Sequence, residues 1–586
     1  STPKPSSAAS DVYKRQAYVV NVDEFAVDDD RVPDDEVDSE VERFRQALRD
    51  TEQELLELHT RIKEEMGEEH AKILDTHRMI LSDDVMIKET IHKIKTDKVN
   101  AAYAFSSVID KTLKSFDKMK DSYLRERSED IRDIKRRVIN NLFGQKMEGL
   151  DRLRKRVVVV AKTLTPSDTA GMKKRYVEAI VTDRGGSTSH AAIIARSHGI
   201  PAVVGLNDFT RYVRPKDLLI VDGLTGQVVL RPSVETVEVF KEARARFIEM
   251  EKELLTIRDY PAVTLDGKTI ELSANIEAAD EIEGAVNHGA RGIGLFRTEY
   301  FFITRETLPS EDEQYKYYAS VVKSFAPDPV IIRTLDVGGD KIARWAGELN
   351  ESNPFMGWRG IRFTLTRKDI FRTQLRAIYR AAAHGNVKIM FPMISIYDEV
   401  LTAKEICREV KEDLLRERYL IGEEVEIGIM IETPSAVAIA DHLAKEVDFF
   451  SIGTNDLIQY TLAVDRGNSR ISYLYDDMHP SILRMIRDVS SAAHRNGIWV
   501  GVCGEMPASI YGVLILLGLD IDEFSASPYV IPEIKKIVRS VTFDETRALA
   551  KKALQMRSAR EIRELVEKFI KDKRPELKEF LPEASK

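Results

Sequence analysis

Cysteine is nearly missing from this chain: Cys407 and Cys503 are the only two in 586 residues. They lie far apart in sequence, offer no disulfide framework and suit a reducing cytosol. No apolar stretch is long enough to span a bilayer, and none resembles a secretory signal. The formal net charge is −9 with no basic stripe to offset it, which argues against a nucleic-acid partner. There is no Cys/His cluster of the kind that binds zinc. What is present, 43% hydrophobic and 32% charged residues, is the composition of a soluble globular protein. The length predicts two to four domains, of α/β type.

The chain opens on a low-complexity stretch, residues 1–10, followed at 11–16 by DVYKRQ, which is what a common sequencing-library adapter encodes when translated. Native sequence is expected from about Ala17, and residues 1–16 are expected to be foreign to the fold. From Val37 the apolar seam Val37, Val41, Phe44, Leu48, Thr51, Leu55, Leu58 alternates spacings of four and three with charged flanks, and predicts packed helices. Helical patterns continue to about Leu142, giving an all-α subdomain over 34–145 after a short segment at 17–33.

At Arg156 the period changes. VVVVA, the run before Asp183, AVVG and LLIVDG read as short buried strands, and turn signals precede QVVLRP, so 146–231 is predicted to be a compact α/β domain. One long charged helix follows as a linker over 232–261. Region 262–575 then repeats strand, loop and helix, ahead of a tail at 576–586. Its candidate strands are ELSANI, GIGLFRT, VIIRTLD, VKIMFPM, EIGIMIE, DFFSIGT, WVGVCGE and DEFSAS, and eight of them predict a (β/α)₈ barrel. Arg297, Arg333, Glu432, Asn455, Asp456 and Cys503 all fall at strand C-terminal ends, the rim where such barrels gather their chemistry.

Two constellations carry chemistry. In GGSTSHAAIIAR, residues 185–196, glycines allow a tight turn, Thr188 and Ser189 supply hydroxyls, and an apolar run begins a helix. His190 therefore sits near a helix start, where free N–H groups favour an anion or a phosphorylated side chain. At the barrel rim, Arg297 and Arg333 can hold phosphate and carboxylate bidentately, with Arg359 in NPFMGWRGIR and Arg466 in AVDRGN adding cationic groups. Glu432 and Asp456 offer hard oxygen ligands suited to Mg²⁺. Cys503 is aimed at the mouth, where a thiol could protonate a carbanion or enolate. Cys407, in a helical pattern, reads as core.

Together these motifs resemble the phosphoenolpyruvate (PEP)–protein phosphotransferase family, enzyme I of the bacterial sugar phosphotransferase system. The likeness runs from about Ala17 to near Lys571. GGSTSHAAIIAR resembles the family's phosphohistidine motif, with His190 at the phosphorylated position. GLFRTE and IIRTLDVGGDK resemble the strands bearing substrate arginines Arg297 and Arg333. IETPSA, SIGTNDLIQY and AVDRGN resemble the segments giving metal ligands Glu432 and Asp456 and substrate contacts Asn455, Asp456 and Arg466, with Arg359 a further substrate contact. GVCGE places Cys503 at the proton donor.

The resemblance implies a swivelling phosphohistidine domain, a helical subdomain that docks a histidine phosphocarrier protein, and a PEP-binding barrel that forms a homodimer. It also implies Mg²⁺ dependence, a cytoplasmic location, and tethers at 144–156 and 232–261 that act as hinges. Family members begin with a strand containing an SPG-like segment. DVYKRQ occupies that place here, so the α/β domain is expected to be one strand short. PEP synthases and pyruvate–phosphate dikinases share the histidine motif and barrel, but need an ATP-binding domain for which no Gly-rich loop is found. A member of the nitrogen-related branch of enzyme I, or a non-catalytic PEP-sensing module, would be a different reading of the same motifs.

Overall fold

The computed structural model describes the chain apart from residues 1–3, 6–11, 21–27, 67, 118–121, 145–149, 151–152, 165–167, 169–171, 173, 186–194, 196–199, 224–225, 304, 306, 339–350, 352, 423, 467, 469 and 582–586. It divides into two compact units, residues 1–249 and 250–586.

In the first unit, the helices Val37–Met66, Glu68–Leu81, Asp84–Asp97, Ala101–Asp117 and Ser122–Leu142 form the all-α part. Val41, Phe44 and Leu55 of the predicted seam are buried and join Phe105, Ile109 and Val138 in one core. Thr51 replaces an aliphatic residue in the seam without leaving a polar group unpaired. Its Oγ1 donates to Ala47 O at 2.7 Å and accepts from Asn141 Nδ2 at 3.0 Å.

The same unit holds a seven-stranded sheet. Its strands are β1 (Lys4–Pro5), β2 (Val12–Val19), β3 (Val157–Ala161), β4 (Val177–Thr182), β5 (Ala202–Val204), β6 (Leu218–Asp222) and β7 (Gln227–Leu230), in spatial order β1-β5-β4-β3-β2-β6-β7. The expected missing strand is supplied from the segment set aside as foreign. Residues 12–16 pair antiparallel with β6, and Ala17–Val19 continue parallel to β3. Sheet pairing runs through backbone groups, so a segment of β-forming residues can occupy that slot whatever its origin. β6 and β7 form the predicted hairpin. The predicted linker is a helix, Val234–Thr256.

The second unit is a closed barrel of eight parallel strands: β9 (Thr269–Ile276), β10 (Ile293–Phe296), β11 (Val330–Arg333), β12 (Val387–Phe391), β13 (Glu426–Ile431), β14 (Phe449–Ile452), β15 (Trp499–Val502) and β16 (Glu523–Ala526). β16 pairs with β9, and β9 with β10, which closes the ring. A short β8 (Ala262–Val263) adds an antiparallel cover to β9. All eight candidate strands are barrel strands.

The two-residue period decides what faces inward. Ile332, Ile389, Ile429, Phe450 and Val502 point out to the helices and join the main core. Leu295, Ile331, Met390, Met430, Phe449 and Cys503 form a separate interior cluster. Continuing the inward set one step towards the C-terminal end gives Arg333 after Ile331 and Glu432 after Met430. At the N-terminal end, Trp499 stacks on Phe449 with centroids 4.5 Å apart, beneath Lys388, whose Nζ lies 4.6 Å from the Trp499 ring. Outside the barrel, the ammonium of buried Lys535 donates to the carbonyls of Arg258 and Gly289, anchoring the segment just after the long helix. No described helix is long and apolar enough to cross a membrane.

Candidate active site

The C-terminal rim of the barrel gathers charged groups from several strands and loops. Arg333, the last residue of β11, is buried, with Nη2 at 3.1 Å from Glu299 Oε2 and Nη1 at 3.2 Å from Asp336 Oδ2. Asp336 also receives Arg359, whose Nε donates to Oδ1 at 3.2 Å and Nη2 to Oδ2 at 2.9 Å. Arg359 Nη2 reaches on to Asp456 Oδ2 at 3.3 Å. Burial works to lower the pKa of both arginines, but the carboxylates of Glu299 and Asp336 around Arg333, and of Asp336 and Asp456 around Arg359, more than offset it. Both therefore stay firmly cationic. Burial opposes the ionised form of Asp336, and the two arginines overcome it, so its pKa is lowered.

Local backbone features make this convergence possible. Gly360 adopts φ 59°, which a side chain disfavours, and a Cβ there would lie 2.8 Å from Met393 Cβ. A Cβ on Gly338 would come within 2.4 Å of Arg359 Cβ. The chain after β11 is held from behind by fully buried Gln374, whose Oε1 accepts from Leu335 N at 2.9 Å. Its Nε2 donates to Thr298 Oγ1 and to the Tyr318 hydroxyl, both at 3.2 Å. Thr298 Oγ1 in turn donates to Arg333 O at 3.0 Å.

Glu432 follows β13 and is buried, its Oε1 accepting from Met393 N at 2.6 Å. Burial, then the neighbouring carboxylates Asp456 and Asp336, push its pKa up to about 8. Asp456 lies in the first turn of the helix Thr454–Leu462. Carboxylates crowded in this way fit a divalent cation. No group of three or more potential metal ligands occurs among the described residues, so such a cation would take Glu432, Asp456 and oxygens from substrate or water, which is the habit of Mg²⁺. Asn455, beside Asp456, is fixed by Glu505: its Oδ1 accepts from Glu505 N at 3.0 Å.

Cys503 follows β15 and is fully enclosed, with its Sγ directed at Ile452 O at 3.7 Å. Burial above all pushes its pKa up to about 12, with Glu432 adding to the rise while Ser451, Arg333 and Arg297 oppose it. The thiol is thus protonated at neutral pH.

Arg297 and Arg466 stand further out. Arg297 pairs with Glu277 at 2.5 Å at the edge of the rim. Arg466 is exposed, its backbone N–H donating to Gln459 Oε1 at 3.3 Å. His190 lies outside the described residues, as do its neighbours 186–194. The backbone leading to it is fixed: Asp183 N donates to Ala161 O at 3.1 Å, Arg184 N to Lys162 O at 2.9 Å, and Thr182 Oγ1 to Arg184 O at 2.8 Å. The sequence pattern did not single out Asp336, Glu299 or Gln374. For Asp336 a signal existed, an acid three residues beyond a strand-end arginine and just before a glycine pair.

Family models for PEP-utilising enzymes match three regions: the N-terminal domain over residues 7–127, the mobile domain over 153–226 and the PEP-binding domain over 249–543. The phosphoenolpyruvate-protein phosphotransferase of Haemophilus influenzae is 42% identical over 555 residues, 95% of this chain and 96% of that protein. This chain belongs to the phosphoenolpyruvate-protein phosphotransferase family. The Staphylococcus carnosus member is 41% identical over 96% of this chain and 98% of its own length, and the Geobacillus stearothermophilus member 42% over 95% and 96%.

Proposed function

We propose that this chain transfers the phosphoryl group of PEP to His190 and from there to a histidine phosphocarrier protein, releasing pyruvate, as the first step of a sugar phosphotransferase system. The observation that carries this reading is the rim cluster itself. Arg333 and Arg359 are held cationic in a buried setting, and Arg333 Nε is buried without a hydrogen-bond partner, a donor left for an anion.

In this reading PEP binds at the rim with Arg297, Arg333, Arg359 and Arg466 around its phosphate and carboxylate, and Asn455 as a further contact. Glu432 and Asp456 would hold Mg²⁺, which supplies additional neutralisation of the substrate's negative charge. His190, as neutral imidazole, attacks phosphorus through a ring nitrogen. The N–P bond forms as the bond to the enol oxygen breaks, and positioning with fixed cations does most of the work. The leaving enolate takes the Cys503 proton at carbon and becomes pyruvate. The sulfur retains the electron pair of its S–H bond.

A homodimer formed through the barrel, carrier docking on the helical subdomain, and a cytoplasmic location suited to two unpaired thiols belong to the same proposal. The test is incubation with PEP labelled on phosphorus, Mg²⁺ and a purified histidine phosphocarrier protein. Acid-labile, alkali-stable label is expected on the chain and is expected to be absent from His190→Ala. Label that persists in that variant, or transfer that requires ATP, would overturn the reading.

A further inference from the structure

Beneath Cys503 the barrel encloses a carboxyl that the chemistry above does not use. Glu523, the first residue of β16, is buried and points into the barrel. Space for it is cut out of the neighbouring strands by glycine. A Cβ on Gly501 would lie 2.6 Å from Glu523 Oε2, and one on Gly294 would lie 2.8 Å from Oε1. An apolar residue at 523 with ordinary side chains at 294 and 501 would fill the same volume without enclosing an ionisable group, so burial of a carboxyl here calls for a reason.

The register shows what surrounds it. Gly501 pairs with Ser451 on one side and with Glu523 on the other. Cys503 lies two residues beyond Gly501 and so on the same inward face. Both neighbours of Gly501 carry buried oxygens with no hydrogen-bond partner, Ser451 Oγ and Glu523 Oε2. Ser451 also stands near enough to the Cys503 thiol to oppose the rise in its pKa. A water between these two orphaned oxygens would satisfy both.

We propose that Glu523 is the internal proton store for Cys503, acting through Ser451 and a water bridging the Ser451 hydroxyl and the Glu523 carboxyl. The proposal rests on the reading of Cys503 as the donor to the enolate. The thiol gives its proton to the enolate carbon and is left as thiolate. The O–H bond of the Glu523 carboxylic acid then breaks, the proton passes through water and the Ser451 hydroxyl, and the S–H bond is restored. Glu523 recovers a proton from the N-terminal end of the barrel. Lys388 faces it there, its Nζ 2.7 Å from Glu426 Oε2, and the Glu426 side chain is 43% exposed to solvent. Burial, partly offset by Ser273 and Lys388, pushes the Glu523 pKa up to about 7, well below that of the thiol, so the return transfer runs downhill. The substrate's proton thus enters from the end of the barrel opposite the substrate.

Rapid-quench measurement of pyruvate, with PEP, Mg²⁺ and excess histidine phosphocarrier protein, separates the first turnover from later ones. In Glu523→Gln the first pyruvate per subunit should form within about twofold of the wild-type rate. Later turnovers should slow about tenfold or more, with an enlarged solvent deuterium effect. Ser451→Ala, a smaller change that serves if Glu523→Gln fails to fold, should show the same burst. In Cys503→Ala the first turnover itself should be slow. Wild-type later turnovers in both relay variants, or first and later turnovers slowed alike, overturn the store while leaving Cys503 as donor. A normal first turnover in Cys503→Ala overturns the donor reading and the store with it.

Discussion

Asp336 grips Arg359 with both carboxylate oxygens, Nε to Oδ1 at 3.2 Å and Nη2 to Oδ2 at 2.9 Å, while its Oδ2 also faces Arg333. Removing that carboxylate leaves two buried guanidinium groups with less compensation. Asp336→Asn is expected to cost about 3 kcal/mol of barrel stability, the order found when one member of a buried ion pair is deleted. Below the melting temperature, KM for PEP should rise about tenfold or more as the arginines lose their shared anchor. Denaturant titration and steady-state kinetics check the two parts separately.

Gln374 lies behind the rim and is not expected to touch substrate, yet it ties Leu335 N, Thr298 and Tyr318 together at the back of the loop after β11. Gln374→Leu orphans the Leu335 N–H in a dry setting and should cost about 2 kcal/mol. Its kinetic effect should fall on KM for PEP more than on kcat, and Gln374→Glu, which keeps an acceptor for Leu335 N, should restore part of the affinity. A variant that melts early but binds PEP normally at low temperature would confine Gln374 to a purely structural role.

Glu523 also predicts a pH dependence of stability. Its pKa is raised in the folded barrel to about 7 from an ordinary 4.5 by burial, with Lys388 and Ser273 opposing and Glu271 adding to the rise. A raised carboxyl holds its proton more tightly when folded. Its full contribution is therefore present below about pH 4.5 and is lost as pH rises through about 7. Glu523→Gln should match the wild type in thermal stability near pH 5 and exceed it at pH 8, by at most about 3 kcal/mol. Equal stability offsets at the two pH values would contradict this.

Much of the barrel was legible because buried parallel strands are written as short apolar runs, and their last inward residue is free to be polar. Arg333, Glu432 and Cys503 were found that way. Asp336 and Glu299 escaped because loop and helix positions near a mouth carry no period. Gln374 escaped because a polar residue in an amphipathic helix reads as surface until its partners are known. Glu523 stands inside a strand, DEFSAS, where a carboxylate had an ordinary surface explanation. Only the glycines on the adjoining strands show that it has been given room. At the N-terminus, ladder pairing ignores side-chain identity, so residues 12–16, foreign in their sequence, still complete the sheet.

Lys535 ties the carbonyl of Arg258 to the outside of the barrel, two residues past the end of the long helix. Mechanically, that bond is a rivet: one ammonium holds two separate turns of chain, at Arg258 and at Gly289, against the barrel wall. Lys535→Met would draw the rivet while keeping the bulk of the stem, and both turns would then be free to peel from the wall together.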